Sequence, residues 1–475
     1  MKKRLGLFVG MLIVLLALGA TTVLAFPGGT WVSGVTVANL SSDTASIVIT
    51  FYNPDGSVAF EVTGESIDGN AAKTWYLPNV TGLSDGFIGS AVVSSDQPVA
   101  AIVNTQLPSG SNPTRVGTSL GVSKPSTKMY ATQVMKGYYG WNSYCVVQNT
   151  GSVAAVITGT YYNAAGTAVY SKSVTVEPYA SYIFDQETET NLPSSFSGSA
   201  IFEGEQPIAA VCNFYNSGVS AETSQIHSYN GLSEGGNTLY VPRIVKDYYG
   251  YQSGLKIQNV GTEVLSVTVT YNIGGNTYQQ VSPDIAPGQA WGPYMGDENQ
   301  LPASMAGVQG SGSAVIEVNS PNANKLVIAT VNEDNRVNPA GRGVTYASAL
   351  PTDATTTLVF PQITSEYYGY SSGMQVMKIS SGDVACTASF AASGNVAAFS
   401  QNFTLTDSAP SWSLFAPDAQ GMVAGKANDN YNGAVTISCN GNVVGIANLS
   451  YRYDRDNRYG NVLGDSFTTA RGINK

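Results

Sequence analysis

The stretch "KGYYGWNSYCVVQNTG", Lys136 to Gly151, returns as "KDYYGYQSGLKIQNVG" at Lys246 to Gly261 and as "SEYYGYSSGMQVMKIS" at Ser365 to Ser380. Aligned on the aromatic residue two places before the serine, Trp31, Trp141, Tyr251 and Tyr370 mark four copies, spaced by 110, 110 and 119 residues. Eight residues further on stand Asn39, Asn149 and Asn259, with Lys378 in the fourth copy. Hairpin-like segments follow: "FYNPDG" from Phe51, "YYNAAG" from Tyr161, "YNIGG" from Tyr271 and "FAASGN" from Phe390. Each copy then carries a Gly-(Ser)-Ala strand that runs on to a second Asn. These are "GSAVVSSDQPVAAIVN" from Gly89, "GSAIFEGEQPIAAVCN" from Gly198, "GSAVIEVNSPNANKLVIATVN" from Gly312 and "GAVTISCNGNVVGIAN" from Gly433. Landmarks recurring in one order denote a repeated structural unit. They divide the chain into 26–127, 128–237, 238–356 and 357–475, after a leader at 1–25.

Each copy reads as β throughout. "LSVTVTY" places Leu265, Val267, Val269 and Tyr271 on one face, and Gly, Pro, Asn and Ser punctuate such runs. "PVAAIVN" is apolar at nearly every position, as in a strand buried on both faces. About seven short strands per copy predict a two-sheet sandwich. The period is too long for a propeller blade. "YYG[W/Y]xS" falls between an apolar first strand ("MYATQVM", "LYVPRIV", "LVFPQIT") and the second. Gly140, Gly250 and Gly369 permit a turn there. Trp31, Tyr138, Tyr139, Trp141, Tyr248, Tyr249, Tyr251, Tyr367, Tyr368 and Tyr370 are therefore candidate aromatics, either packed between domains or exposed as a platform for sugar rings or a partner.

The ends and the composition bound the function. "MKKRLGLFVGMLIVLLALGATTVLAF" has the basic start, apolar run and small-residue site of a secretory signal peptide, with cleavage expected after Ala25. Its loss moves the formal net charge from −10 to −13. Such a surface is a poor match for nucleic acid. No further apolar segment long enough to span a membrane follows. Charged residues are only 11% of the chain, and 28 Tyr with 51 Gly suggest a neutral, hydroxyl-rich, turn-rich extracellular surface.

Of the four cysteines, Cys145 and Cys212 fall in copy two, Cys386 and Cys439 in copy four. All have the inward phase of aligned apolar residues. An oxidising route and two cysteines per copy predict Cys145–Cys212 and Cys386–Cys439 among three connectivities; four buried free thiols are the plainer alternative. The only histidine is His227. No nucleophile elbow, phosphate loop or zinc motif occurs, so no catalytic, cofactor-binding or metal residue is assigned. "YDRDNRYGN" from Tyr453 lacks the glycine and terminal glutamate of a calcium loop and reads as a charged hairpin.

"GLKIQNVGTEVLSVTVTYN" followed by "GSAV…PVAAIVN" resembles the tandem immunoglobulin-like domains of secreted bacterial surface proteins. "YYGWNS…VQN.G" is most similar to repeats in secreted proteins of Chloroflexus-type bacteria. The resemblance implies four immunoglobulin-like β-sandwiches in a non-enzymatic, secreted or cell-surface protein with a structural or adhesive role. Its partners would be cell-envelope glycan or protein, or other copies of itself. Two other functions stay open: a carbohydrate-binding array that uses the Tyr and Trp platforms, and a strand-donating subunit of an extracellular polymer. The last follows from copy one, where only "FPGGT" separates the cleavage site from Trp31, leaving the first strand without a counterpart and its sheet edge open. "DSFTTARGINK" from Asp465 is the candidate donor.

Overall fold

The computed structural model describes residues 10–14, 31–108, 111, 114–216, 225–335, 342–422, 429–451 and 465–474. Among the described residues the fold is all-β, and its sheets pack as in β-sandwiches around four main apolar clusters, each drawn chiefly from one copy. In the first, the strands are β1 (Gly10–Val14), β2 (Val32–Asn39), β3 (Ala45–Tyr52), β4 (Val58–Ile67), β5 (Ala72–Tyr76), β6 (Ser90–Ser95), β7 (Val99–Gln106) and β8 (Val116–Leu120). One sheet has the order β1-β6-β3-β4 and the other β5-β2-β7-β8. The third copy repeats both orders, from a first strand at Thr238–Lys246 to an eighth at Arg342–Ala347. In the second and fourth copies the sixth and seventh strands fuse into one strand of 21 residues, Phe196–Asn216 and Tyr431–Tyr451, which passes from one sheet to the other.

The sandwich is as expected; the connectivity is not that of an immunoglobulin domain. There the first two strands share a sheet. Here they lie in opposite sheets, because the chain makes a tight turn at the tyrosine phrase and crosses over. "LSVTVTY" keeps its alternation, with Val267–Ile273 buried at every second residue. The buried Asn of copies one to three explains a repeat landmark. Asn149 donates to the carbonyls of Val153, Val176 and Glu177 and accepts from the Gly151 N–H. Asn39 and Asn259 make the same kind of set. In copy four the Lys378 ammonium takes the equivalent carbonyl, Gly382, and is balanced by Asp407.

The slot that copy one was expected to leave open is filled. The apolar Gly10–Val14, within the expected signal peptide, pairs antiparallel with Ser95–Ala91, as the first strands of the other copies pair with their sixth. The expected donor is already engaged: Phe467–Arg471 is the eighth strand of copy four, and Ile473–Asn474 pairs with its first.

Nor do the sandwiches form an open row. The four eighth strands, Val116–Leu120, Ile226–Asn230, Arg342–Ala347 and Phe467–Arg471, contact one another in a closed cycle, so copy four meets copy one. The sheet face outside each core supplies the joints. Gln148 donates to Ser90 at 2.7 Å between copies one and two, and Gln258 to Ser199 at 2.6 Å between two and three. Gln375 donates to the Gly312 carbonyl at 2.8 Å between three and four. Asn104 donates to Gln362 at 2.6 Å where four closes on one. This is why "PVAAIVN" is apolar on both faces: Ala101 and Val103 enter their own core, and Ala100 packs on Val359 of copy four.

Both expected disulfides are present, Cys145–Cys212 and Cys386–Cys439. Each joins residues directly opposite on adjacent strands, the second and seventh in copy two and the third and sixth in copy four. They close loops with sequence separations of 67 and 53. Replacing either pair by serine is expected to cost about 2–4 kcal/mol in urea unfolding of the affected sandwich; an unchanged midpoint would show that packing alone holds these strands.

Candidate functional site: the tyrosine face of the ring

The turn between first and second strands is the same in three copies. Tyr138 and Trp141 exchange both backbone hydrogen bonds, at 3.1 and 2.9 Å, around Tyr139 and Gly140; Tyr248–Tyr251 and Tyr367–Tyr370 do likewise. Both central residues of such a two-residue hairpin need positive φ. Gly140, Gly250 and Gly369 meet this freely, at φ of 83°, 81° and 83°. Tyr139, Tyr249 and Tyr368 meet it under strain, at 48°, 52° and 49°. Their rings project into solvent: Tyr139 is 85% exposed, Tyr249 80% and Tyr368 53%. Each meets the preceding tyrosine edge-on, with ring centroids 4.7–4.8 Å apart. Strain held in an exposed aromatic at three equivalent places makes these turns the candidate site.

The candidate aromatics therefore divide. Tyr138, Tyr139, Tyr248, Tyr249 and Tyr368 are exposed, and Tyr367 is half-buried. The aromatics after the glycines turn inward. Tyr251 packs on Phe467 of copy four, Tyr370 reaches Thr114 of copy one, and Trp31 joins a cluster with Tyr144 and Ile226 of copy two. Trp141 packs on Phe214 and His227. Of the two alternatives for these aromatics, exposure describes Tyr139, Tyr249 and Tyr368, while Tyr251 and Tyr370 reach neighbouring copies.

These turns surround the start of the central cycle of eighth strands. Val116, Ile226, Gly343 and Phe467 occupy equivalent positions there, and their four N–H groups converge on Asp465. Ile226 donates to Oδ2 at 2.8 Å, Gly343 to Oδ1 at 3.0 Å and Phe467 to Oδ1 at 3.3 Å. Val116 donates to the Asp465 backbone carbonyl at 3.0 Å. Asp465 is fully buried, and burial holds its carboxyl well above the ordinary range, against the pull of the three N–H donors and Arg342. Nothing in "GDSF" marks this residue as the common partner of four copies. The only available signal was the small, polar character of the aligned strands, "TRVGT", "SQIHS" and "GRGVT". Below it lie equivalent hydroxyls: Thr118, Ser228 and Thr345 each donate to the Asn of the neighbouring seventh strand, at 2.6–2.7 Å. Deeper still, residues of all four copies line a cavity of about 80 Å³.

His227 belongs to this layer. Its Nδ1 lies 2.9 Å from the Thr345 hydroxyl, and its ring stacks on Phe214. Burial lowers its imidazole to about 3, so it is neutral in the fold. Among the described residues, no three His, Cys, Asp or Glu side chains form a group able to hold a metal ion. The charged stretch from Tyr453 lies outside the described residues.

No protein-family model matches the chain, and no curated protein matches it. Among solved structures, Escherichia coli alpha-2-macroglobulin activated by porcine elastase aligns with 98% of this chain and 44% of its own, at 10% identity and a TM-score of 0.15. The chain thus spans less than half of that neighbour, and the likeness is too slight to bear on fold or function.

The histidine gives a pH test with a definite sign. A base whose pKa falls on folding takes up its proton first in the unfolded chain. Stability present above about pH 6.5 is therefore lost as pH falls toward 3, by up to about 1.4 kcal/mol per unit. His227→Gln should flatten the stability profile between pH 6 and pH 4, measured by denaturant titration. Equal slopes in the two proteins would mean that the imidazole is protonated in the fold.

Proposed function

We propose that this chain is a secreted or cell-surface, non-enzymatic display module whose tyrosine face binds another envelope component. The observation that carries the reading is the set of strained, exposed tyrosines at equivalent turns around one end of the ring. A packing role does not require them, since their rings reach into solvent and the inner aromatics already serve the junctions. Tyrosine is suited to such a surface, because a rigid ring with a polar tip binds with little loss of side-chain entropy. Paired disulfides and the signal-like leader support an extracellular setting. The low charge of the chain suits contact with neutral glycan or protein. Immunoglobulin likeness is retained for the sandwich architecture alone.

A platform for sugar rings is the second reading, favoured by the edge-on pairing of the tyrosines and the exposure of Tyr139, Tyr249 and Tyr368. Glycan arrays and pull-down on the producer's own envelope distinguish sugar from protein ligands. The triple variant Tyr139→Gly, Tyr249→Gly, Tyr368→Gly tests both readings against a structural role. Glycine adopts positive φ without strain, so the variant should melt no lower than the parent while losing at least tenfold in retention on envelope material. Undiminished retention would remove the tyrosine face from the function.

A further inference from the structure

At three junctions, the first strand of one copy inserts a polar side chain toward the next copy from a bulge in its ladder. Gln133 follows the irregularity after Ala131 and accepts from the Asn332 amide at 2.8 Å. Gln362 follows that after Phe360 and accepts from Asn104 at 2.6 Å. Arg243 follows that after Val241, pairs with the buried Glu333 and reaches Gln375 of copy four at 3.5 Å. At the remaining junction, between copies one and two, no such polar side chain lies among the described residues. Asn213 of copy two is equivalent to Asn104 and Asn332, and its Oδ1 likewise accepts from the eighth-strand hydroxyl, Ser228. Its Nδ2 is buried and has no partner. Gly10–Val14 pairs with the sixth strand as far as Ala91, and none of these five residues carries a side-chain carbonyl.

We propose that the first-strand slot of the first sandwich receives, in the secreted protein, an extended segment of another polypeptide. That segment is apolar at alternate residues and carries a side-chain carbonyl at the bulge, where it accepts the Asn213 amide. Ladder hydrogen bonds to Ser90–Ser95 supply affinity, and the bulge carbonyl supplies register and selectivity. The slot continues the interface that first strands build at the other three junctions. The leader acts as a placeholder that matches the slot in apolarity and not in polarity. The inference rests on the secreted reading and on loss of the leader.

The test uses chain purified from the medium, its N-terminus fixed by mass spectrometry, and a synthetic peptide with the sequence of residues 357–365, "TLVFPQITS". A second peptide replaces its glutamine by leucine. The peptide should slow hydrogen exchange of the Ser90–Ser95 amides, and the glutamine form should bind about tenfold more tightly than the leucine form, the worth of one buried hydrogen bond. In Asn213→Leu that preference should vanish while binding persists. Absence of binding, equal affinities for the parent, or protection, before peptide is added, of those Ser90–Ser95 amides that face the slot and not the third strand would overturn the inference alone. Retention of Gly10–Val14 in the secreted protein would overturn both the inference and the cleavage on which it rests.

Discussion

Four backbone N–H groups, one from each sandwich, meet on a single residue, and the ring is organised around that meeting. Asp465 supplies the acceptors for Val116, Ile226, Gly343 and Phe467. A buried N–H without a partner costs about 1–3 kcal/mol. Four such groups brought together on an axis would repel one another and leave that cost unmet. One carboxyl group with its own backbone carbonyl satisfies all four, at the expense of burying an acid. Because one residue serves four copies, the symmetry is broken at this point by necessity: Thr114 stands in copy one where Asp465 stands in copy four.

The remaining contacts follow from closure. Once the eighth strands meet around the axis, the outer face of each seven–two strand pair lies against a neighbour. It can then be apolar where it packs, as at Ala209 and Val211 against Val92 of copy one's sixth strand, and carboxamide-rich where it must be specific, as at Gln148 and Gln258. Closure also places the turns between first and second strands on one face. The tyrosines repeat in sequence because the turns repeat in space.

Much of this was legible in the sequence, and the reasons are local. The repeat period, the β reading and the two disulfides rest on alternation and alignment, which every copy displays independently. The Asn landmarks were visible as a repeat, while the carbonyls that each one holds, such as Val153, Val176 and Glu177 for Asn149, are read only from the structure. The ring was not legible: its evidence is distributed among Gln, Ser and Asn residues whose partners lie one domain away, at sequence separations such as 258 for Asn104 and Gln362. Tyrosines followed by glycine could be placed in a turn. That the first tyrosine would remain in solvent while the residue after the glycine packed inward depends on φ at Tyr139, Tyr249 and Tyr368, which composition does not reveal. The strand order was missed for a related reason: alternation shows which face a strand buries, not which sheet it joins.

Small-angle scattering of the secreted protein tests the closed ring most directly. A compact chain of this length has a radius of gyration of roughly 22 Å, whereas four separate sandwiches in a row, each of about 13 Å, give roughly 40 Å. The account predicts a value close to the smaller figure and a distance distribution with a single maximum. A value near the larger one, or a distribution with the regular shoulders of beads in a line, would contradict it.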